Sequence, residues 1–192
     1  MWLVVGLGNP GREYERNRHN AGFLVADLLA DRIGVKFGRH RRAVAEVAEG
    51  RLGVGVDAPQ LALVKPMTYM NLSGGLVASL AQFYKVEPGN IVAVHDELDL
   101  PFGQVRCKVG GGEGGHNGLR SMSKSLSTKE YNRVRLGTGR PPGRQDPADY
   151  VLSDFSAAER KELDFLVDRA ADMVESIIVR GLEWTQNQYH GA

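Results

Sequence analysis

Four short clusters of polar side chains in this sequence contain the groups that proton transfer and hydrogen-bond donation require. Three of them follow stretches that predict buried strands: Asn9 with His19, residues 69–71, and residues 95–99. The fourth, His116 with Asn117, follows the glycine-rich turn GGGEGG, where missing side chains let a ligand approach the backbone closely. Ligands of open α/β sheets bind at the ends of the strands. We therefore expect the four clusters to converge on one site.

A glycine motif near the start of the chain predicts a competing chemistry. GLGNPG, residues 6–11, matches the G-x-G-x-x-G pattern of dinucleotide-binding folds directly after a predicted strand. In those folds the glycines open a helix whose N-terminus holds the pyrophosphate. Here Pro10 and a polar run delay the predicted helix to about Asn20. A nucleotide-dependent oxidoreductase therefore stays an alternative that depends on this motif alone.

Metal and covalent centres lack a matching residue pattern. The sequence has no H-E-x-x-H motif and a single cysteine. His95 and Asp96 form an HD pair, but they follow a predicted strand rather than lie on a helix. Ser73 in LSGG does not form a G-x-S-x-G elbow, and Cys107 alternates toward the interior of its predicted strand. We expect no metal, no cofactor and no covalent intermediate.

The length and the hydrophobic pattern predict one α/β domain over residues 1–192. A chain of 192 residues can bury a hydrophobic core without the help of disulfide bonds or metal ions. A predicted strand at residues 2–7 precedes an amphipathic helix at residues 21–33, for which Asn20 is the expected cap. A helix at residues 72–84 precedes a buried strand at residues 91–94. This alternation predicts a central mixed twisted sheet flanked by helices.

The remaining segments predict how the sheet is extended and covered. Residues 42–64 predict short antiparallel strands beside the main sheet, of which residues 61–64 re-enter the core. QVRCKV and RVRL predict strands that each carry two cations on one face, with a short helix at residues 119–126 between them. Residues 140–152 predict an exposed loop that acts as a mobile rim, and residues 153–192 predict C-terminal helices.

Charge is unevenly distributed, although the formal net charge is only +1. Residues 104–145 contain nine Lys and Arg but two Asp and Glu, whereas residues 146–192 contain ten acidic and four basic residues. A polyanion can therefore dock on one region only. The alternative is a solvated basic surface without a partner. Because the chain has one cysteine, no signal-peptide pattern and no long apolar run, we expect a cytoplasmic protein that does not enter membranes. We also expect it to be a monomer.

Four longer motifs occur in the order GLGNPG with RHNAGF, KPMTYMNLSG, HDELDLPFG and GGGEGGHNGLRS. They resemble the signature segments of bacterial peptidyl-tRNA hydrolases, and the strand RVRLGTGRP with its acidic helices is similar to the rest of that family. The resemblance covers essentially the whole chain. It implies a metal-independent carboxylic ester hydrolase, which releases the peptide from peptidyl-tRNA and recycles tRNA from aborted translation.

The resemblance further implies that His19 is the catalytic base and that Asp96 orients it. A neutral imidazole, which titrates near about pH 6.5, accepts a proton from water, and a carboxylate on its other nitrogen fixes the tautomer. Neutral amides suit the stabilisation of a tetrahedral oxyanion. The expected substrate-binding residues are Asn9, Tyr14, Met67, Tyr69, Asn71 and Asn117. We expect His95 to be structural and leave the role of His116 open.

In such an enzyme the cations of the two basic strands have an expected function, the binding of tRNA. Arg106, Lys108 and Arg135 are expected to bind phosphates of the tRNA acceptor stem, contacts that position the substrate without reading its sequence. A non-catalytic RNA-binding module on the same fold remains the second alternative, because a fold does not guarantee an activity. A pure binder has no need of His19 and Asp96 at separate strand ends, which favours the hydrolase.

Overall fold

The computed structural model describes residues 1–190, which form one seven-stranded sheet with helices on both faces. The strands are β1 (Trp2–Gly6), β2 (Gly38–Arg39), β3 (Ala45–Arg51), β4 (Gln60–Pro66), β5 (Ile91–Glu97), β6 (Val105–Val109) and β7 (Asn132–Gly137). The helices are α1 (Ala21–Ile33), α2 (Ser73–Tyr84), α3 (Asn117–Leu126), α4 (Pro147–Val151), α5 (Ala157–Arg180) and α6 (Leu182–His190). Four single 3-10 turns lie at Arg12–Tyr14, Arg18–Asn20, Met70–Leu72 and Pro88–Asn90.

The sheet is mixed, as the sequence predicts. Its strand order is β2-β3-β4-β1-β5-β7-β6. The four central strands β4, β1, β5 and β7 are parallel, and antiparallel pairs lie at both edges. Because the parallel strands all point the same way, the loops that follow β1, β4 and β5 all begin at the same end of the sheet, where these strands have their carboxyl ends. The polar clusters of the sequence lie in or beside these loops.

The two faces of the sheet bury separate hydrophobic clusters. Val4 belongs to the cluster beneath α1 and α5, whereas Leu3 and Val5 belong to the cluster beneath α2 and α3. This alternation follows from the period of two along a strand. All seven residues of β5 are buried, because helices cover both of its faces. Asp96 is therefore carried into the protein interior by the most enclosed strand of the sheet.

Three local expectations are wrong. The expected strands in residues 42–64 are antiparallel and residues 61–64 lie in the core, but they form no separate ribbon beside the main sheet, since β3 pairs along its whole length with β4 and extends the sheet. The expected rim loop contains the helix α4, which begins at Pro147 and is capped by the Asp146 side chain. The Asn20 side chain does not cap α1 but bonds the backbone of Asn9. The predicted mobility of residues 140–152 stays a prediction.

Gly22 determines how closely α1 approaches the strand ends. A Cβ atom at this position would lie 2.3 Å from the carbonyl oxygen of Val94 and 2.5 Å from the nitrogen of Leu7. Real side-chain atoms do not approach so closely, so only glycine allows this contact. The first turn of α1 therefore rests directly on β1 and β5, which brings the preceding residue His19 beside the end of β5.

The C-terminal helix α6 covers the exposed edge strand β6. His190 Nε2 accepts a hydrogen bond from the Cys107 amide at 2.9 Å, and Gln186 donates to the Cys107 carbonyl at 3.1 Å. An uncovered edge strand invites pairing with other chains, so these contacts protect it. Within residues 1–190, no helix has the length and apolar character that a membrane crossing requires.

Candidate active site

His19 and Asp96, which come from two separate elements, meet in the interior. His19 lies in the 3-10 turn before α1, and Asp96 lies near the end of β5. His19 Nδ1 is 2.9 Å from each carboxylate oxygen of Asp96. The exposed fraction is 7% for His19 and 3% for Asp96. The bond to the carboxylate places the proton of the neutral ring on Nδ1 and leaves the lone pair of Nε2 free.

His116 is a second imidazole partner of Asp96, and the sequence alone did not identify this role. Its Nε2 lies 3.1 Å from Asp96 Oδ1. Its Nδ1 accepts hydrogen bonds from the amides of Gly118 and Leu119 at 3.1 and 3.3 Å and so caps α3. Because Nδ1 is an acceptor, Nε2 carries the proton and donates it to the carboxylate. His116 thus joins the first turn of α3 to Asp96.

The surroundings shift the pKa values of the three groups in different directions. Burial alone would raise the pKa of Asp96, but the charge of His19 and the hydrogen bond from His116 lower it well below its ordinary value. Burial opposes the charge of His19, yet the charge of Asp96 and the bond to it raise the pKa of His19 above its ordinary value of 6.5. Burial lowers the pKa of His116 despite Asp96. Asp96 is therefore ionised and His116 neutral.

Asn9 is held by two neighbouring segments. The backbone N–H of Asn9 donates to Asn20 Oδ1, and its backbone carbonyl accepts from Asn20 Nδ2, both at 2.9 Å. The side-chain Oδ1 of Asn9 accepts from the backbone amide of Met70 at 2.7 Å. These contacts orient the side chain so that the Oδ1 atom faces Met70 and the Nδ2 donor is left for another acceptor. Asn20 was expected to serve the helix, and its actual partner is visible only in the fold.

The other two asparagines lie next to residues that contact one another. Asn71 follows Met70, and Asn117 precedes Gly118. A Cβ atom at Gly118 would be only 2.6 Å from Met70 Sδ, so the turn Met70–Leu72 and the start of α3 are in close contact. The side chains of Asn71 and Asn117 are both exposed. The fold therefore brings the segments of all three expected asparagines together at the carboxyl ends of the parallel strands.

Five of the expected catalytic and substrate-binding residues line two grooves, and three do not. A cleft of about 400 Å³ is lined by His19, Asp96, His116 and Asn117, together with Arg140 and residues of α4. A second groove of about 550 Å³ is lined by Asn9 and Met67. Tyr14, Tyr69 and Asn71 line neither groove, although Tyr69 and Asn71 are exposed beside Met70. Tyr14 lies in the turn Arg12–Tyr14, which leads into the His19 segment.

A buried arginine fixes the turn that carries His19. Arg18 Nη1 donates to Ser153 Oγ at 2.6 Å and to the Asp154 carbonyl at 2.8 Å. Its Nη2 donates to Glu159 Oε1 at 2.7 Å, and its guanidinium lies 4.0 Å from the ring centre of Tyr150. These residues follow or belong to α4, so the His19 turn and the α4 wall of the cleft are tied together.

The three cations expected to bind tRNA lie on one face of the β6–β7 pair, and we call Arg106, Lys108 and Arg135 the cation strip. Arg106 is directly opposite Arg135 in the ladder. Arg135 Nε donates to Glu97 Oε1 at 3.1 Å, which leaves the terminal guanidinium nitrogens for other acceptors. Burial and the charge of Arg135 lower the pKa of Lys108. Arg133 is fully buried and bonds the carbonyls of Gly111 and Gly112, so it supports the glycine-rich turn.

The sequence motifs for other chemistries do not form sites in the described residues. After Gly11 the chain makes a 3-10 turn, and α1 begins only at Ala21, so no helix N-terminus faces the glycines of GLGNPG. Cys107 is buried, which raises the pKa of its thiol to about 11. Ser73 donates to the Met70 carbonyl inside the protein. Neither residue is activated as a nucleophile.

Fold and site together define a protein with a mixed α/β sheet whose strand ends hold a buried imidazole–carboxylate pair. Residues 3–192 match the family model described as peptidyl-tRNA hydrolase. The chain is 61% identical to the peptidyl-tRNA hydrolase of Nocardia farcinica over 188 residues, covering 98% of this chain and 95% of that protein. It is 60% identical to that of Streptomyces coelicolor over 190 residues, covering 98% and 94%.

A solved structure is similar over the same length. The crystal structure of peptidyl-tRNA hydrolase from Acinetobacter baumannii superposes with a TM-score of 0.89 at 36% identity, covering 98% of this chain and 94% of that one. The chain therefore belongs to the peptidyl-tRNA hydrolase family, as the sequence motifs indicate.

Proposed function

We propose that this protein hydrolyses the ester bond between peptide and tRNA in peptidyl-tRNA and so recycles tRNA from stalled or aborted translation. Membership of the peptidyl-tRNA hydrolase family supports the substrate. The observation that carries the chemistry is the buried contact of His19 Nδ1 with Asp96 at 2.9 Å. Without that contact, the fold would offer a binding surface but no base.

His19 is the proposed general base. The Nδ1–H group of His19 remains hydrogen-bonded to Asp96. Its Nε2 atom accepts a proton from water as the water oxygen attacks the ester carbonyl. The resulting tetrahedral intermediate collapses by breaking the bond to the ribose oxygen, which takes the proton back from His19. Ionised Asp96 stabilises the imidazolium that exists between these two steps. The bond from His116 holds Asp96 in place throughout.

The asparagines and their neighbours are the proposed substrate contacts. The Nδ2 atom of Asn9 is available as a donor because Oδ1 already bonds Met70. Asn117, which lines the cleft, and Asn71, which is exposed on the turn that contacts the start of α3, supply further neutral donors for the oxyanion and the attacking water. Tyr14, Met67 and Tyr69 are proposed to hold the peptide or the terminal adenine. Their partly apolar side chains suit contacts with many different peptides.

The cation strip is proposed to bind the acceptor stem of the tRNA. Phosphate contacts supply affinity that does not depend on sequence, which suits an enzyme for all elongator tRNAs. Glu97 supports this role because it orients Arg135. All proposed residues belong to one chain, so a monomer suffices for the reaction, and the proposed location is the cytoplasm, where translation takes place.

We also propose that the reaction needs no metal ion. His19, Asp96 and His116 are near enough to share a cation, with candidate ligand atoms within 4.8 Å of one another. His19 Nδ1, the Asp96 carboxylate and His116 Nε2 already form hydrogen bonds with one another. The two amides that bond His116 Nδ1 keep its Nε2 protonated, and a protonated nitrogen is not a ligand.

The test is the release of free tRNA from peptidyl-tRNA by the purified protein treated with a chelator. We expect turnover by the wild type and a rate lowered by about 10² to 10⁴-fold in His19→Ala, which removes the base. Binding of peptidyl-tRNA without cleavage would point to an RNA-binding module instead. Unimpaired turnover by His19→Ala would exclude the proposed base, and loss of wild-type turnover with the chelator would exclude metal independence.

A further inference from the structure

A second basic surface lies at the sheet edge opposite the cation strip. We call it the hairpin patch, and it consists of Lys36, Arg39, His40, Arg41, Arg42 and Phe83. Its four Lys and Arg side chains are exposed, and none of them forms a salt bridge with another residue in the range 1–190. Together they line a groove of about 590 Å³ on the β2 side of the sheet.

Neither acidic residue near this patch forms a salt bridge with its cations. Glu49, which lines the same groove, accepts a hydrogen bond from the Tyr84 hydroxyl at 2.5 Å. Glu46, on the adjacent strand, pairs with Lys65 at 3.4 Å. The segment from Lys36 to Arg42 itself contains no acidic residue. The four cations of the patch form no salt bridge in residues 1–190, and they outnumber Glu49, the one carboxylate that lines the groove, so the groove carries an excess of positive charge.

An aromatic ring lies among these cations. Phe83, at the end of α2, is 45% exposed. The His40 ring packs edge-on against it with centroids 5.1 Å apart, and the Arg42 guanidinium lies 5.5 Å from its centre. His40 Nδ1 also accepts the Arg42 amide at 3.1 Å, which orders the turn. The Tyr84 ring also packs against Phe83, with centroids 4.9 Å apart, and the rest of the phenyl ring is open to solvent.

The hairpin patch is remote from the cation strip. β2 and β6 are the two outermost strands, so six inter-strand spacings of about 4.8 Å, roughly 29 Å in all, separate them. The phosphates that contact the strip cannot contact the patch as well. The patch therefore needs a ligand, or a part of a ligand, that no residue of the proposed active site binds.

We propose that the hairpin patch is a second RNA-binding surface, which binds an unpaired stretch of RNA through its phosphates while a base stacks on Phe83. Unpaired cations beside an exposed aromatic ring are the combination that binds single-stranded nucleic acid without sequence preference. An acidic peptide would satisfy the cations but would leave the ring without a stacking partner. The proposal does not depend on the ester hydrolysis, because it concerns binding at the opposite edge of the sheet.

The test is the binding of a fluorescent twelve-nucleotide single-stranded RNA to the full chain, measured by anisotropy over a range of salt concentrations. The double variant Arg39→Ala with Arg41→Ala removes two phosphate contacts. We expect the slope of log affinity against log salt to fall by about 1.4, since each contact to a single strand contributes about 0.7. Arg160→Ala with Lys161→Ala, which removes two exposed cations from the first turns of α5, is the matched control and should leave the slope unchanged.

Two further variants separate stacking from charge and the patch from the strip. Phe83→Leu keeps an apolar side chain but removes the ring, and we expect it to weaken RNA binding about fivefold or more. The patch variants should lose affinity equally in the wild type and in a background with Arg106→Ala and Lys108→Ala, because the two surfaces are far apart. Thermal unfolding of every variant establishes that it is folded.

Several outcomes would overturn the proposal. One is an equal loss in the Arg160 and Lys161 control, which would mean that net charge alone governs binding. Another is an unchanged affinity of Phe83→Leu together with efficient displacement of the RNA by polyglutamate, which would make the patch a site for acidic protein segments. A patch effect that vanishes in the strip-deficient background would assign all RNA binding to the strip.

Discussion

The His19–Asp96–His116 centre and the cation strip use charged groups in opposite ways. At the centre all three side chains are almost fully buried, and each polar contact joins members of the set or a fixed backbone amide. On the strip, Arg106 is exposed and has no salt-bridge partner in residues 1–190. Burial strengthens an electrostatic contact and fixes its geometry, which proton transfer needs. Exposure keeps charges available to a large polyanion.

Removal of the buried charge should have the largest effect. Asp96→Asn preserves the shape of the side chain but no longer stabilises the imidazolium or selects the Nδ1 tautomer of His19. We expect kcat on peptidyl-tRNA to fall by about 10³-fold, within the range of general-base catalysis, while KM changes little. The measurement is steady-state hydrolysis.

The matched control for this variant is Asp149→Asn, which neutralises an exposed carboxylate in α4. It should keep the wild-type kcat. If kcat of Asp96→Asn fell by less than threefold, the buried carboxylate would matter no more for the reaction than an exposed one, and the proposed role of Asp96 would be wrong.

Neutralisation of the strip should have an intermediate effect that appears in binding rather than in chemistry. Arg106→Ala or Lys108→Ala should weaken tRNA binding several-fold and lower the salt slope by about 1, because each variant removes one phosphate contact. Hydrolysis of a small acyl-nucleotide ester, which does not reach the strip, should be nearly unchanged. Equal losses on both substrates would contradict the assignment of the strip to tRNA.

The smallest expected effect is a displacement of the pH profile. Protonated His19 cannot accept a proton, so kcat/KM should fall as the pH drops through the pKa of His19. Asp96 raises that pKa above 6.5, which places the acid inflection above 6.5. In Asp96→Asn the residual activity should show an inflection at lower pH, because the carboxylate charge is gone and burial then dominates. An inflection that does not move would mean that another group titrates.

Local patterns predicted much of this molecule. The strand at residues 2–7, the helix at residues 21–33 and the buried strand at residues 91–94 are present with small changes of their bounds. The periodicity of a helix or strand can be read from a short stretch of sequence. A strand that is buried on both faces has an unbroken run of apolar residues, which is visible in the same way. The cations of β6 and β7 also share one face, as the alternation along each strand predicts.

Side-chain partners that are distant in sequence were less predictable. Asn20 was expected to cap α1 and instead holds Asn9, because the 3-10 turn before the helix points its amide toward the β1 loop. The expected loop at residues 140–152 contains α4, which gains a cap from Asp146 and packs through Tyr150 against Arg18. Helix propensity alone does not reveal such a short element, since tertiary packing stabilises it.

The sequence by itself determined the α/β class, the family and the residue types of the centre, because these follow from periodicity and from motifs that are contiguous along the chain. Only the tertiary structure decided that Asp96 has two imidazole partners, that Arg18 ties the His19 turn to α4, and that a basic hairpin lies at the edge opposite the strip. The physical reason is that these arrangements join groups 20 or more residues apart. Their distances depend on how the strands are ordered in the sheet, and no local pattern contains that order.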